Sequence, residues 1–219
     1  MEENQNDKPK LLKAIELILA EPAVIKNEAL NLKKKYYEKY KNTKTEEKID
    51  KEIITKIISN YSYYTAFVGA GTALTGVIPG LGTVIATFGG ATADAALSMK
   101  YQIEMTMAIA TICGHDIEIE EQKRLCLMIA GLGAVGEATK EGGKQMGTKA
   151  FIKIVQQNLK GSTLIAVKEI FKKVGVTFTR KALEKAAPFG IGVVIGFSAN
   201  KGLTYYVGNK VKDFFLLKE

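Results

Sequence analysis

The only histidine of the chain, His115, stands in the run Cys113-Gly114-His115-Asp116, and thiolate, imidazole and carboxylate are all metal-binding groups. Four consecutive residues at a helix end cannot readily converge on one tetrahedral ion, and no second ligand cluster occurs in the sequence. No metal site is assigned, and the run reads as a helix-terminating turn built on Gly114. Nucleophilic catalysis needs a base oriented by a third group beside a nucleophile. A lone histidine offers no such setting, so no catalytic residue is assigned and a non-enzymatic protein is expected. Gly131-Leu-Gly133-Ala-Val-Gly136 has the spacing of a dinucleotide loop, which requires a preceding strand, a continuing helix and a downstream acid. Residues 122–130 read as helix, and no acid follows between Glu141 and Glu169. Gly71 to Gly76 is not followed by the lysine and hydroxyl residue of a P-loop. No cofactor is expected.

Asp94 closes a run that holds no charge after Lys56. On a helix Ser98 and Gln102 follow it at i+4 and i+8, giving a polar stripe of Asp94, Ser98 and Gln102. A buried carboxylate must be paired or hydrogen-bonded, so the stripe is expected to serve polar packing rather than catalysis.

The formal charge of +8 is concentrated in two blocks. Lys26, Lys33, Lys34, Lys35, Lys39, Lys41 and Lys44 are opposed locally by Glu28 and Glu38. Lys168, Lys172, Lys173, Arg180, Lys181 and Lys185 are opposed by Glu169 and Glu184. Such blocks attract phosphate, and the expected membrane-surface patch is Lys33, Lys34, Lys35, Lys172 and Lys173. With only Cys113 and Cys126, no disulfide framework is expected, and the polar, acidic N-terminus does not resemble a secretory signal. The expected location is cytoplasmic, peripheral at the inner face of the cell membrane.

Helical periodicity predicts the elements that position these residues. A short helix over 9–20 is interrupted at Glu21-Pro22, and a second spans about 23–41. Thr43 is the expected N-cap of a third, with Glu46 as its reciprocal partner and Ile49, Ile53, Ile54, Ile57 and Ile58 as its apolar stripe. The uncharged run exceeds one membrane span of ~20 residues. Pro79, Gly80 and Gly82 divide it into a hairpin of two Gly/Ala-rich arms, the second continuing to Cys113. Gly76 and Gly80 are expected to admit close helix packing. Further helices are predicted over 118–136, 148–158, 163–174 and 177–187, with a break at 136–147, an uncharged stretch at 188–199 and a closing helix over 203–217. The expected fold is all-α, a multi-helix bundle around the hairpin, with a basic N-terminal helical arm over 1–50 and a helical domain over 51–219.

Gly76-Val-Ile-Pro79-Gly80-Leu81-Gly82-Thr83, Ala91-Thr92-Ala93-Asp94, Gln102 and Ile112-Cys113-Gly114-His115-Asp116 together resemble the bacterial EcsC protein family. That family combines a Gly/Pro turn, an Ala-Asp step, a glutamine on the following helix and an aromatic-Gly-x-Asp turn. Cys113 replaces the aromatic residue, a departure that bears on packing. Pro188-Phe-Gly190-Ile-Gly192 through Asn200 is similar to the family's glycine-rich end. The resemblance covers about 54–215. It implies a helical fold with a membrane connection, accessory to a transport or envelope process, and it carries over no catalytic residue.

Anionic membrane lipid or an apolar ligand is the expected partner, alongside a membrane protein; no motif for specific nucleic-acid binding is present. The expected function is that of a membrane-associated or lipid-interacting protein. The alternatives are a soluble interaction scaffold and a pore-forming protein that buries its hairpin.

Overall fold

The computed structural model describes residues 8–68, 76–138, 146–159, 163–185 and 192–217. It is an all-α bundle, with nine helices and no strand among the described residues. Gly69, Gly71, Gly142, Gly143 and 188–191 lie outside the described residues, as do the side chains of Arg180, Lys181 and Lys185.

Helix α1 spans Lys10–Glu16 and α2 spans Pro22–Tyr40. Proline fits the first turn of α2 because its missing N–H has no helical partner there. Helix α3, Glu46–Ala66, starts after Thr45 rather than Thr43. The Thr43 hydroxyl donates back to the Tyr40 carbonyl at 3.2 Å, a local bond that removes it from capping duty. The five isoleucines of the α3 stripe are all buried, as their spacing predicts.

A turn forms at Pro79-Gly80, but Gly82, expected to belong to it, lies inside the helix that follows. Leu81 N–H bonds the Ile78 carbonyl at 3.2 Å across Pro79-Gly80, with Gly80 at φ +80°, the pattern of a type II turn. The arm that follows is not one helix but two: α4, Leu81–Phe88, and α5, Gly90–Ile112. Gly89 separates them at φ 83° and ψ 163°, a backbone region essentially restricted to glycine. Helix α5 ends at Gly114, φ +85°, where His115 N–H reaches the Ala110 carbonyl at 3.0 Å and Gly114 N–H reaches Thr111 at 3.0 Å. This closes the helix's free carbonyls as a glycine-based C-terminal motif does.

Helix α5 is the axis of the bundle: 18 of its 23 residues are buried, so it has no broad polar face to offer solvent. Helices α3 and α9 (Gly192–Leu216) flank it, and their register follows from named contacts. Ile58 lies against Gly208, while Thr65 and Val68 meet Asn200, so α3 and α9 run antiparallel. Gln102 meets Thr204 and Met105 meets Gly208, so α5 and α9 run parallel. A Cβ on Gly208 would lie 2.8 Å from the Ile58 side chain and 3.1 Å from the Met105 sulfur, so glycine at this position leaves the room that both neighbours occupy. Leu11, Leu12 and Ile15 of α1 and Ile25 and Ala29 of α2 join the same apolar core as the rest.

Helix α6, Glu120–Ala138, runs through the expected break at Gly136. Helix α7 is Thr148–Leu159, and α8, Thr163–Lys185, is one helix where two were expected. Gly175 interrupts its sequence pattern without ending it, and Leu11 of α1 packs where the glycine has no side chain. Helix α9 likewise continues from the glycine-rich stretch into the closing segment.

Candidate functional site

The polar stripe is only partly realised. Gln102 Nε2 lies 3.4 Å from Ser98 Oγ and 3.5 Å from Thr204 Oγ1, all three residues being buried between α5 and α9. Gln102 Oε1 and Ser62 Oγ are buried without a hydrogen-bond partner. Asp94 does not join this layer: it is exposed, near the N-terminus of α5, with crowding of its surroundings raising the carboxyl above the usual range. An i+4 spacing puts residues on one helix face, but along that face burial begins only at Ser98.

The buried charges of α5 are instead Lys100 and Glu104, one turn apart with Nζ and Oε1 separated by 2.6 Å. Glu104 also accepts the Ala20 backbone N–H at 3.0 Å, which ties the end of the α1 segment to the bundle axis.

The basic patch divides. Lys33 is not a surface charge available to lipid: its ammonium lies 2.9 Å from Asp50, 3.5 Å from Glu46 and 3.4 Å from the Ile112 carbonyl. Burial works to lower its pKa, but the Asp50 hydrogen bond and the two carboxylate charges outweigh that and hold it raised. Lys26 bridges Asp116 and Glu118, and Lys44 pairs with Glu52. Lys34, Lys35, Lys172 and Lys173 are exposed and lack an ion-pair partner among the described residues. Packing of α2 on α3 brings Glu46 and Asp50 to Lys33, and the turn after α5 brings Asp116 and Glu118 to Lys26, pairings that no charge count along the chain reveals.

The glycines of the dinucleotide-like run lie within continuous α6. A Cβ at Gly131 would lie 2.5 Å from Ile170 of α8, and one at Gly133 would lie 3.2 Å from Val207 of α9. They serve helix packing. His115 Nδ1 sits 3.0 Å from Gln122 Oε1, and its ring lies 4.9 Å from that of Phe215. Burial pushes the Cys113 thiol up to about 11 and the Cys126 thiol up to about 12, which keeps both protonated at neutral pH.

Two surface features have no counterpart in the sequence expectations. The first is an aromatic stripe across α3 and α9. Tyr63 lies on α3 and Phe67, which caps its C-terminal end, follows four residues on; Lys201 of α9 stands 3.8 Å from the Tyr63 ring centroid, and Tyr205 follows Lys201 by one turn. Tyr63, Phe67 and Tyr205 are 51%, 58% and 55% exposed, which separates them from the core aromatics. Tyr205 lies in the closing helix expected over 203–217, and only the α3–α9 pairing brings that helix beside Tyr63.

The second is a cleft of ≈ 390 Å³ between α2 and α3. Ile25, Ala29, Ile57 and Ala108 supply its apolar floor, and Glu28, Lys35, Tyr61 and Tyr64 are among its polar lining. Tyr61 and Tyr64 meet at 73° with ring centroids 5.5 Å apart. Desolvation raises the Tyr61 hydroxyl pKa, and the charges of Glu104 and Glu28 raise it further.

No helix among the described residues is long and apolar enough to cross a membrane. No protein-family model, curated protein or solved structure matches this chain.

Proposed function

We propose that this chain is a non-enzymatic, peripheral membrane protein that meets the lipid headgroup region through the aromatic stripe of Tyr63, Phe67 and Tyr205. The observation that carries this reading is the exposure of three aromatic side chains along one line, with the Lys201 ammonium among them. Tyrosine rings suit the membrane–water boundary because an apolar body and a hydroxyl favour different sides of it. Lys201 and the exposed lysines of α2 and α8 supply attraction to anionic lipid, each up to about 1 kcal/mol when close to the surface and weakened by salt. Neither contribution suffices alone, and their combination supports reversible binding.

The resemblance to the EcsC family supports the same reading and extends it to a role at the inner face of the cell membrane, accessory to transport or envelope processes. Liposome flotation tests it. The protein is expected to float with anionic vesicles, to be partly released by high salt, and to lose binding in Tyr63→Ser/Phe67→Ser. Lys34→Glu/Lys172→Glu, at two exposed lysines outside the α2–α3 cleft, should weaken binding to anionic vesicles alone. Unchanged flotation of the aromatic variant would reject the stripe as the contact. No flotation of the monodisperse parent chain would favour the soluble scaffold, and dye release from the vesicles would favour the pore-forming alternative.

A further inference from the structure

The cleft between α2 and α3 is chemically asymmetric along its length. Lys33 of α2 pairs with Asp50, near the start of α3, while the charge of Glu28 acts on Tyr61, near its end. The two helices therefore run antiparallel, with Glu28 at the tyrosine end of the cleft and Lys35 two turns away, about 10 Å along the helix axis. Neither Glu28 nor Lys35 has an ion-pair partner among the described residues. One end thus combines a carboxylate with two aromatic rings set nearly at right angles. The other end offers an ammonium group on a flexible stem.

A carboxylate beside tyrosine faces attracts a cation, above all a quaternary ammonium whose methyl groups also contact the rings. A lysine ammonium attracts phosphate. The cleft volume of ≈ 390 Å³ lies in the range of small-ligand sites. We infer that the α2–α3 cleft binds an ammonium–phosphate zwitterion of the phosphocholine type, with the cation against Tyr61, Tyr64 and Glu28 and the phosphate on Lys35. Asn31 and Asn60, which also line the cleft, can donate to the phosphate ester oxygens. The cleft shares no residue with the aromatic stripe, so this assignment stands independently of membrane attachment through Tyr63 and Phe67.

The test uses the full chain and four probes: soluble phosphocholine, choline, inorganic phosphate and phosphatidylcholine vesicles. Calorimetry supplies the affinity of each soluble probe, and flotation supplies that of the vesicles. Phosphocholine is expected to bind saturably and more tightly than choline or phosphate alone. Lys35→Ala should weaken phosphocholine by about tenfold and leave choline unchanged, while Glu28→Gln and Tyr64→Leu should weaken both. All three positions are exposed, and thermal melts establish that each variant is folded. Free phosphocholine that displaces the protein from phosphatidylcholine vesicles would place a lipid headgroup in the cleft; saturable binding without vesicle attachment would make the source a free metabolite. Absence of saturable phosphocholine binding at millimolar concentration would overturn the assignment. So would phosphate binding as tight as phosphocholine binding, or vesicle attachment abolished by Tyr63→Ser/Phe67→Ser in a protein that free phosphocholine neither displaces nor saturates.

Discussion

The Lys100 ammonium and the Glu104 carboxylate meet at 2.6 Å inside the bundle, on consecutive turns of α5, with side chains 11% and 6% exposed. Two charges at such depth are tolerated because each neutralises the other and because Glu104 also receives the Ala20 N–H. Lys100→Met leaves the carboxylate buried without its counter-charge and is expected to destabilise the fold by about 3 to 5 kcal/mol. Lys100→Met/Glu104→Leu should cost much less than the sum of the two single changes. Denaturant midpoints of the four proteins check this, and additive losses would show that the pair is not coupled.

Gly80 and Gly76, equivalent by sequence spacing, have different roles. Gly80 combines φ +80° with a backbone site where a Cβ would collide with the Leu17 carbonyl, whereas Gly76 is exposed with open space where a Cβ would sit. Gly80→Ala is expected to cost on the order of 1 to 3 kcal/mol, and Gly76→Ala to stay within about 0.5 kcal/mol. Thermal or denaturant unfolding distinguishes them. The earlier expectation that Gly76 packs between helices is overturned by its exposure.

Lys33 is expected to matter for stability and Lys34 for charge alone. Lys33→Met removes the partner of Asp50, whose second oxygen is already buried without a hydrogen bond. Because solvent still reaches both side chains, the loss should be about 1 kcal/mol rather than that of a fully buried pair. The folded pKa of Lys33 is raised, so its stabilising contribution is complete below the ordinary lysine value and is lost as pH rises through the folded value. Lys34→Met should leave the unfolding midpoint unchanged while lowering attachment to anionic vesicles.

Asp116 reports the contact between α2 and the turn after α5. Its carboxyl is held below the ordinary carboxylate range, chiefly by the Lys26 hydrogen bond and then by the Glu118 backbone N–H. A depressed carboxylate pKa stabilises the fold above the unfolded value, and that contribution is lost as pH falls through the folded one. Carboxyl NMR titration should show a midpoint below that of a free aspartate, moving upward in Lys26→Ala. An unmoved midpoint would show that the Lys26 contact is absent in solution.

What the sequence determined by itself was local. Pro22 starts a helix, Gly114 ends one, Pro79-Gly80 turns the chain, and the isoleucines from Ile49 to Ile58 face inward, because each outcome depends on backbone sterics or a 3.6-residue period. The approach of Gln102 to Ser98 was legible for the same reason. Tertiary packing decided which neighbours those faces meet. It paired Lys33 with Asp50, placed Gly131 and Gly133 of one helix against two different partners, and left Asp94 exposed while covering Gln102. It also set Tyr63 beside Lys201 and opened a cleft between Glu28 and Tyr64. Periodicity fixes the face of a helix, but the partner across that face comes from a distant part of the chain, selected by which surfaces pack together without voids or unpaired charge.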